Sequence, residues 1–161
     1  MKYVILLTLM LPTLLFAQDV ESPIFPSFSL PNLEGEHFTL DTLRGDGPVF
    51  ITFWATWCKP CLQEMKELEK IYIKYKDRGF QVIAINNDGA RRVKQLPRFI
   101  SRQGFTFPVL WDDGSFKKRI GVTDLPTNFL LDTEGRIVLR KRGYKKGDEI
   151  ALEKMIAGFF E

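Results

Sequence analysis

The apolar positions change period several times along the chain. Tyr3 to Phe16 is apolar almost throughout, broken by Thr8, Pro12 and Thr13 and preceded by Lys2. Phe28-Ser29-Leu30 and His37-Phe38-Thr39-Leu40 alternate on either side of Asn32-Leu33-Glu34-Gly35, which predicts a small β-hairpin. After the turn Arg44 to Pro48, the unbroken run Val49-Phe50-Ile51-Thr52-Phe53-Trp54 reads as a buried strand. From Leu62 the period becomes helical. At about 100° per residue, Cys61, Met65, Leu68, Ile71, Tyr72 and Tyr75 share one face. This helix is predicted to run to about Arg78, with Gly79 suited to a left-handed cap.

Further on, Phe80 to Asn86 predicts a strand, Val93 to Gln103 a helix despite Pro97, and Thr106 to Trp111 a short strand. Ser115 to Ile120 suggests a helical turn. Thr127 to Asp132 and Arg136 to Arg140 predict strands around Thr133-Glu134-Gly135, and Leu152, Met155, Ile156 and Phe159 form a closing helical stripe. Strands and helices alternate first; a hairpin and a helix finish the chain. The expected class is α/β, a mixed central sheet flanked by helices.

The 161 residues suffice for one domain with a core, and a net charge of +3 gives no reason to expect nucleic acid as a partner. Lys2, the apolar run and Ala17 together read as a secretory signal over residues 1–17, leaving one domain over 18–161. An uncleaved N-terminal anchor is the alternative, because Leu15 stands where a small residue is usual. The run spans 14 residues, whereas a membrane-crossing helix needs about 20. Export would place the protein where disulfides form and persist.

That compartment matters because the two cysteines, Cys58 and Cys61, are two residues apart, between the predicted strand and the predicted helix. Four uses of the pair compete. A structural disulfide would close a ring too small to constrain the unfolded chain. Structural zinc needs four ligands, and only His37 could supplement the pair. Cu(I) would suit two thiolates with Met65. Redox catalysis agrees with the motif, its strand–helix setting and the exported compartment together.

On that reading Cys58, at a helix start that favours negative charge, is the exposed attacking thiol. Cys61, one turn in, is more buried and resolves the mixed disulfide. Lys59 adds positive charge beside Cys58, and Pro60 fits an early helical position where its missing N–H costs nothing.

Glu64 projects into the apolar face of the same helix. Burial should raise its pKa, so that it can take the proton Cys61 must lose; the alternative is a side chain tilted to water. Leu125-Pro126 precedes a strand and offers an X-Pro bond, the usual place for a cis peptide, although an ordinary turn would look the same. Trp54 is expected in the core. Trp57 is expected to form, with Lys59, Pro60 and Leu125, the surface where a partner docks. His37 is read as a surface residue. The runs Lys117-Lys118-Arg119, Arg140-Lys141-Arg142 and Lys145-Lys146 are read as solvated faces; the alternative is a docking patch for an acidic partner or a membrane surface.

At these residues the chain resembles the thioredoxin superfamily, and more narrowly the exported TlpA/ResA-like thiol–disulfide oxidoreductases related to redoxin and AhpC/TSA domains. The matching text is Gly35-Glu36-His37-Phe38-Thr39-Leu40, Leu43-Arg44-Gly45, Phe53-Trp54-Ala55-Thr56-Trp57-Cys58-Lys59-Pro60-Cys61, Glu64, and Leu125 to Asp132. The resemblance implies a thioredoxin fold with an N-terminal β-hairpin and an inserted helix–strand unit at about Ala90 to Trp111. It also implies a cis Pro126 against the dithiol, and catalytic roles for Cys58, Cys61, Glu64 and Pro126. Thioredoxin itself has a buried aspartate where this chain has Thr52. Many relatives have a proline where this chain has Lys66, which leaves a kink in the first long helix open.

The function so implied is exchange of a dithiol with a cysteine-containing protein in the bacterial periplasm, as a reductase. Many relatives keep cysteines reduced for cytochrome c maturation, which makes apocytochrome c one candidate substrate, although the sequence itself names none. A membrane thiol–disulfide donor would supply electrons, and no cofactor is required. Two alternatives stand beside it. Copper carriers on this fold usually space their cysteines by three residues and add a distant histidine. A thiol peroxidase wants threonine where this chain has Ala55.

Overall fold

The structure, a computed structural model, describes residues 22–161. The expected signal segment over residues 1–17 therefore lies outside the described residues.

The run Val49–Trp54 forms β3, buried at every position, at the centre of a five-stranded sheet. β4 (Gln81–Asn86) lies parallel to it on one side and β5 (Val109–Trp111) parallel beyond that. On the other side β6 (Thr127–Leu131) and β7 (Ile137–Arg142) continue antiparallel, giving the order β5-β4-β3-β6-β7. A separate two-stranded hairpin pairs β1 (Leu30–Pro31) with β2 (His37–Phe38). The mixed sheet and the hairpin are as the patterning predicts.

Hydrophobic side chains cover both faces of this sheet. Phe50, Leu68, Phe80, Val82 and Leu130 lie in one cluster, beneath the long helix α2 (Lys59–Tyr75). Phe25, Phe28, Ile51, Phe53, Ile83, Phe116 and Phe129 fill the other. Phe25 meets Phe129 edge-on at 5.1 Å and Phe116 at 6.1 Å, a favourable aromatic geometry.

Several boundaries differ from the sequence reading, each for a local reason. Thr39 does not extend the hairpin. Its side chain and that of Thr42 cap reciprocally, starting a short helix α1 (Leu40–Leu43). The expected helix at 93–103 divides into α3 (Ala90–Val93) and α4 (Leu96–Gln103); Pro97 lacks the amide a continuous helix would use and sits in the first turn of α4. β5 starts three residues late because Thr106 donates its N–H and hydroxyl to the buried carboxylate of Glu69, at 2.9 and 2.6 Å. Ser115–Arg119 forms α5. In the last helix, α6 (Asp148–Gly158), only Ile156 of the predicted stripe is fully buried. Met155 and Phe159 stay 39% and 37% exposed, while Phe160 stacks on Tyr75 of α2 at 5.8 Å. Helix α2 continues unbroken through Lys66.

α2 runs into a 3₁₀ turn at Lys76–Arg78, which ends on Gly79 at φ +99°. Here the chain entering β4 passes against the loop entering β3. A Cβ on Gly79 would stand 2.9 Å from the backbone nitrogen of Gly47. Gly104 also has positive φ, at +74°, yet faces open space. Gly104→Ala is therefore expected to cost about 1 kcal/mol from backbone strain alone. Gly79→Ala should cost distinctly more, since two backbone segments must part. Urea unfolding of both variants checks this; equal losses would show that the close approach carries no energy.

Candidate functional site

β3 and β4 are parallel and β6 is antiparallel to β3, so the ends of β3 and β4 and the start of β6 meet at one edge of the sheet. The dithiol is built there. Cys58 is the N-cap of α2, with extended backbone at φ −85° and ψ 97°. Its Sγ accepts a hydrogen bond from the Cys61 N–H at 3.3 Å, an unpaired donor of the first helical turn. Pro60 lies in that turn, as expected. Cys58 and Cys61 are joined by a disulfide.

Cys58 is more enclosed than the exposed thiol expected from the sequence, with 5% of its surface accessible against none for Cys61. The order is as anticipated. In the disulfide form the Cys58 sulfur is engaged by Cys61 twice, through the S–S bond and the Cys61 N–H. Exposure passes to its neighbours. Trp57 is 60% accessible, and Lys59 and Pro60 are exposed.

The Leu125–Pro126 peptide is cis, and Pro126 is buried. Thr127 pairs with Phe53, which sets Leu125 and Pro126 at the end of β3 that leads to Cys58. Leu125 packs against the cluster that contains both cysteines. Trp54 is fully buried and packs on Phe99 of α4 at 6.1 Å, so it belongs to the core as predicted. His37 is exposed on the hairpin, its Nδ1 3.2 Å from the Ser29 hydroxyl.

One turn beyond Cys61, Glu64 is buried, with 6% of its surface accessible. Thr52 and Asn128 face each other across β3 and β6 and both reach it. The Thr52 hydroxyl donates to Oε2 at 3.4 Å and the Asn128 amide to Oε1. Burial outweighs these two bonds and pushes the Glu64 pKa up to about 8. Glu64 borders a cavity of about 140 Å³ between α2, β7 and α6, lined also by Asn128, Lys141, Tyr144 and Asp148. Lys141 lowers the Glu64 pKa, though less than burial raises it. It is ion-paired to Asp148, so it is no part of a merely solvated face.

Sequence reasoning passed over two contributors. Asn128 carries an amide in a strand buried at all five positions, an arrangement that calls for a specific partner. Asp88, just past the end of β4, has 1% exposure. Its Oδ2 accepts from the Thr56 N–H and the Asn86 amide, both at 3.1 Å, and its backbone oxygen accepts from the Trp111 indole at 2.8 Å. Asp88 thus holds the turn from Trp54 to Cys58. Its signal was an acidic residue at the end of a strand parallel to the one that leads into the cysteines.

Residues 23–140 match the AhpC/TSA family. A thiol-disulfide oxidoreductase ResA of Bacillus thuringiensis (strain Al Hakam) is 40% identical over 70% of this chain and 64% of its own length. The matched segment thus spans somewhat less than two thirds of that relative. Another ResA, from B. thuringiensis subsp. konkukian (strain 97-27), is 36% identical over 78% of this chain and 71% of its own. Among solved structures, a candidate thiol:disulfide interchange protein DsbE from Chlorobium tepidum superposes with a TM-score of 0.78 at 32% identity, covering 88% of this chain and 98% of that one. Matched residues, fold and the position of the cysteine pair agree: the chain belongs to the AhpC/TSA family of the thioredoxin superfamily, on the branch of the ResA-like thiol–disulfide oxidoreductases.

Proposed function

We propose that this protein is an exported thiol–disulfide oxidoreductase that reduces disulfides in a cysteine-containing partner protein. The observation that carries the reading is a bonded cysteine pair at the head of a helix with one buried face, with a buried carboxyl group of raised pKa one turn further in. The names of the relatives support dithiol exchange. The N-terminal run of the sequence supports export, with the periplasm as its destination. Among the described residues no helix is long and apolar enough to cross a membrane. Apocytochrome c as the substrate, and a membrane thiol–disulfide protein as the electron donor, complete the proposal.

In the proposed cycle the Cys58 thiolate attacks one sulfur of the partner's disulfide. The partner's S–S bond breaks, one partner sulfur leaves as a thiolate, and Cys58 is left in a mixed disulfide. Cys61 then gives its proton to the Glu64 carboxylate and attacks the Cys58 sulfur. The mixed disulfide breaks, the second partner thiolate leaves, and the Cys58–Cys61 bond remains. Two electrons have passed to the partner. A carboxyl with a pKa of about 8 lies close to an ordinary thiol, so this proton moves with little free-energy change in either direction. When an upstream donor reopens the bond, Glu64 returns the proton to Cys61. Pro126 and Leu125, at the same edge, are proposed to align the partner's backbone, and Trp57, with Lys59 and Pro60 beside it, to meet its apolar surface.

Cys61→Ser, expressed in the native host, is expected to hold its partner on Cys58 as a stable mixed disulfide. Identification of the adduct by mass spectrometry checks substrate and pathway, and an absence of adducts would count against protein disulfides as substrates. Glu64→Gln is expected to slow resolution of the mixed disulfide by about 10²-fold near neutral pH. Because the working base is the ionised carboxylate, the wild-type rate should rise with pH and level off above about pH 8, an inflection the variant lacks. Equal rates from about pH 6 to 9 would remove Glu64 from the mechanism. Lys141→Met takes away a cation that lowers the Glu64 pKa, so the inflection should move to higher pH. Stopped-flow kinetics on all three proteins reads these effects.

A further inference from the structure

Beside the dithiol the inserted unit carries charge that the rest of the structure does not balance. Residues 89–105 hold Arg91, Arg92, Lys94, Arg98 and Arg102 and no aspartate or glutamate. The five cations exceed the whole chain's net charge of +3, so the rest of the chain is on balance negative while this stretch is purely positive. All five are exposed. Several cations elsewhere have partners: Lys70 pairs with Glu67 and Lys74 with Glu153, while Arg78, Arg119 and Arg140 donate to backbone oxygens. Among the described residues, these five, in α3, α4 and the link between them, make no ion pair and no side-chain hydrogen bond. Arg98 and Arg102, both in α4, stand four apart, a spacing at which like charges repel along a helix. The nearest carboxylate in sequence, Asp88, is buried and turned to Thr56 and Asn86.

These cations line two adjoining grooves. One is walled by Thr56, Arg92, Lys94, Arg98, Phe99 and Arg102. The other is walled by Trp57, Gly89, Ala90, Arg91 and Arg92. Arg92 is common to both, and Thr56 and Trp57 immediately precede Cys58. The basic face therefore begins at the rim of the dithiol.

We propose that the α3–α4 face binds an acidic segment flanking the reactive cysteine of the partner protein. This rests on the dithiol-exchange reading above. A partner whose disulfide sits at Cys58 lays its neighbouring residues along this rim, and a carboxylate-bearing stretch there relieves the self-repulsion of the arginines. Continuity with Thr56 and Trp57 favours a protein segment over a lipid surface, which would have no need of a face joined to the cysteines. Encounter with such a partner is steered by charge, so it is faster at low ionic strength.

The test uses the reduced full-length protein and two disulfide-linked peptides that differ only in flanking Asp against Asn. The Asp peptide should react about tenfold faster at low ionic strength, and the advantage should shrink in about 0.5 M salt. Arg92→Glu/Arg98→Glu should lose or invert the preference. Its rate with uncharged bis(2-hydroxyethyl) disulfide should be unchanged, which shows that fold and dithiol are intact. Equal wild-type rates for the two peptides, or a preference that survives in the double variant, overturns the proposal while dithiol exchange stands. Slowing by anionic phospholipid vesicles without any peptide preference would assign the face to lipid and overturn it too. Inertness of the wild type toward both peptides and the uncharged disulfide would instead overturn dithiol exchange, and the docking proposal with it.

Discussion

The desolvation of one carboxyl group organises this site. Glu64 sits on the inner face of α2, with two hydrogen-bond donors and the Lys141 cation across the same cavity, but little exposure to water. Those partners do not restore what burial removes, and the group holds its proton to about pH 8. Each unit by which a pKa rises is worth about 1.4 kcal/mol. Because the folded pKa lies above the unfolded value near 4.5, the contribution to stability is complete below that value and falls as pH rises through about 8. The fold thus tolerates a native state weaker at neutral and alkaline pH than in acid, in return for an acid–base group matched to a thiol.

The rest of the architecture can be read as holding that group beside the cysteines. The strand pair β3–β6 supplies Thr52 and Asn128 in register, so the clamp on Glu64 is a cross-strand pair. α6 closes the outer side of the cavity through Asp148, which holds Lys141. Lys74 and Tyr75 of α2 both reach Glu153 of α6, fixing the two helices together. On the far side of the dithiol, Asp88 fastens the Thr56 turn to the end of β4. The cysteine-bearing helix start is therefore held from both sides by buried polar contacts, while Trp57 remains free to meet a partner.

What could be read in the sequence follows the range of the interactions. β3, β4 and α2 were legible because a continuous apolar run and a helical stripe are local signals of burial. The head of α2 was legible because two cysteines and a proline between a strand and a helix have few other uses. Glu64 was legible as a charge on an apolar face. Asp88 and the role of Asn128 were not, since each acts through a residue distant in the chain, Thr56 and Glu64 respectively; Lys141 was not, since its partner Asp148 lies beyond a turn, at the start of α6. Cys58 is less exposed than its place at a helix start suggests, because position alone does not reveal that Cys61 engages its sulfur. The α6 stripe misled for a similar reason, as Phe160 rather than Phe159 found an aromatic partner on α2.

The most direct measurement is the titration of the Glu64 side chain itself. The protein would be labelled with ¹³C at glutamate carboxyls, and the Glu64 signal assigned by its loss in Glu64→Gln. NMR across the pH range should then show that carboxyl titrating near about 8 in the oxidised protein. A midpoint close to the ordinary glutamate value of about 4.3 would mean that the carboxylate is hydrated and ionised, and the proton relay to Cys61 would have to be given up.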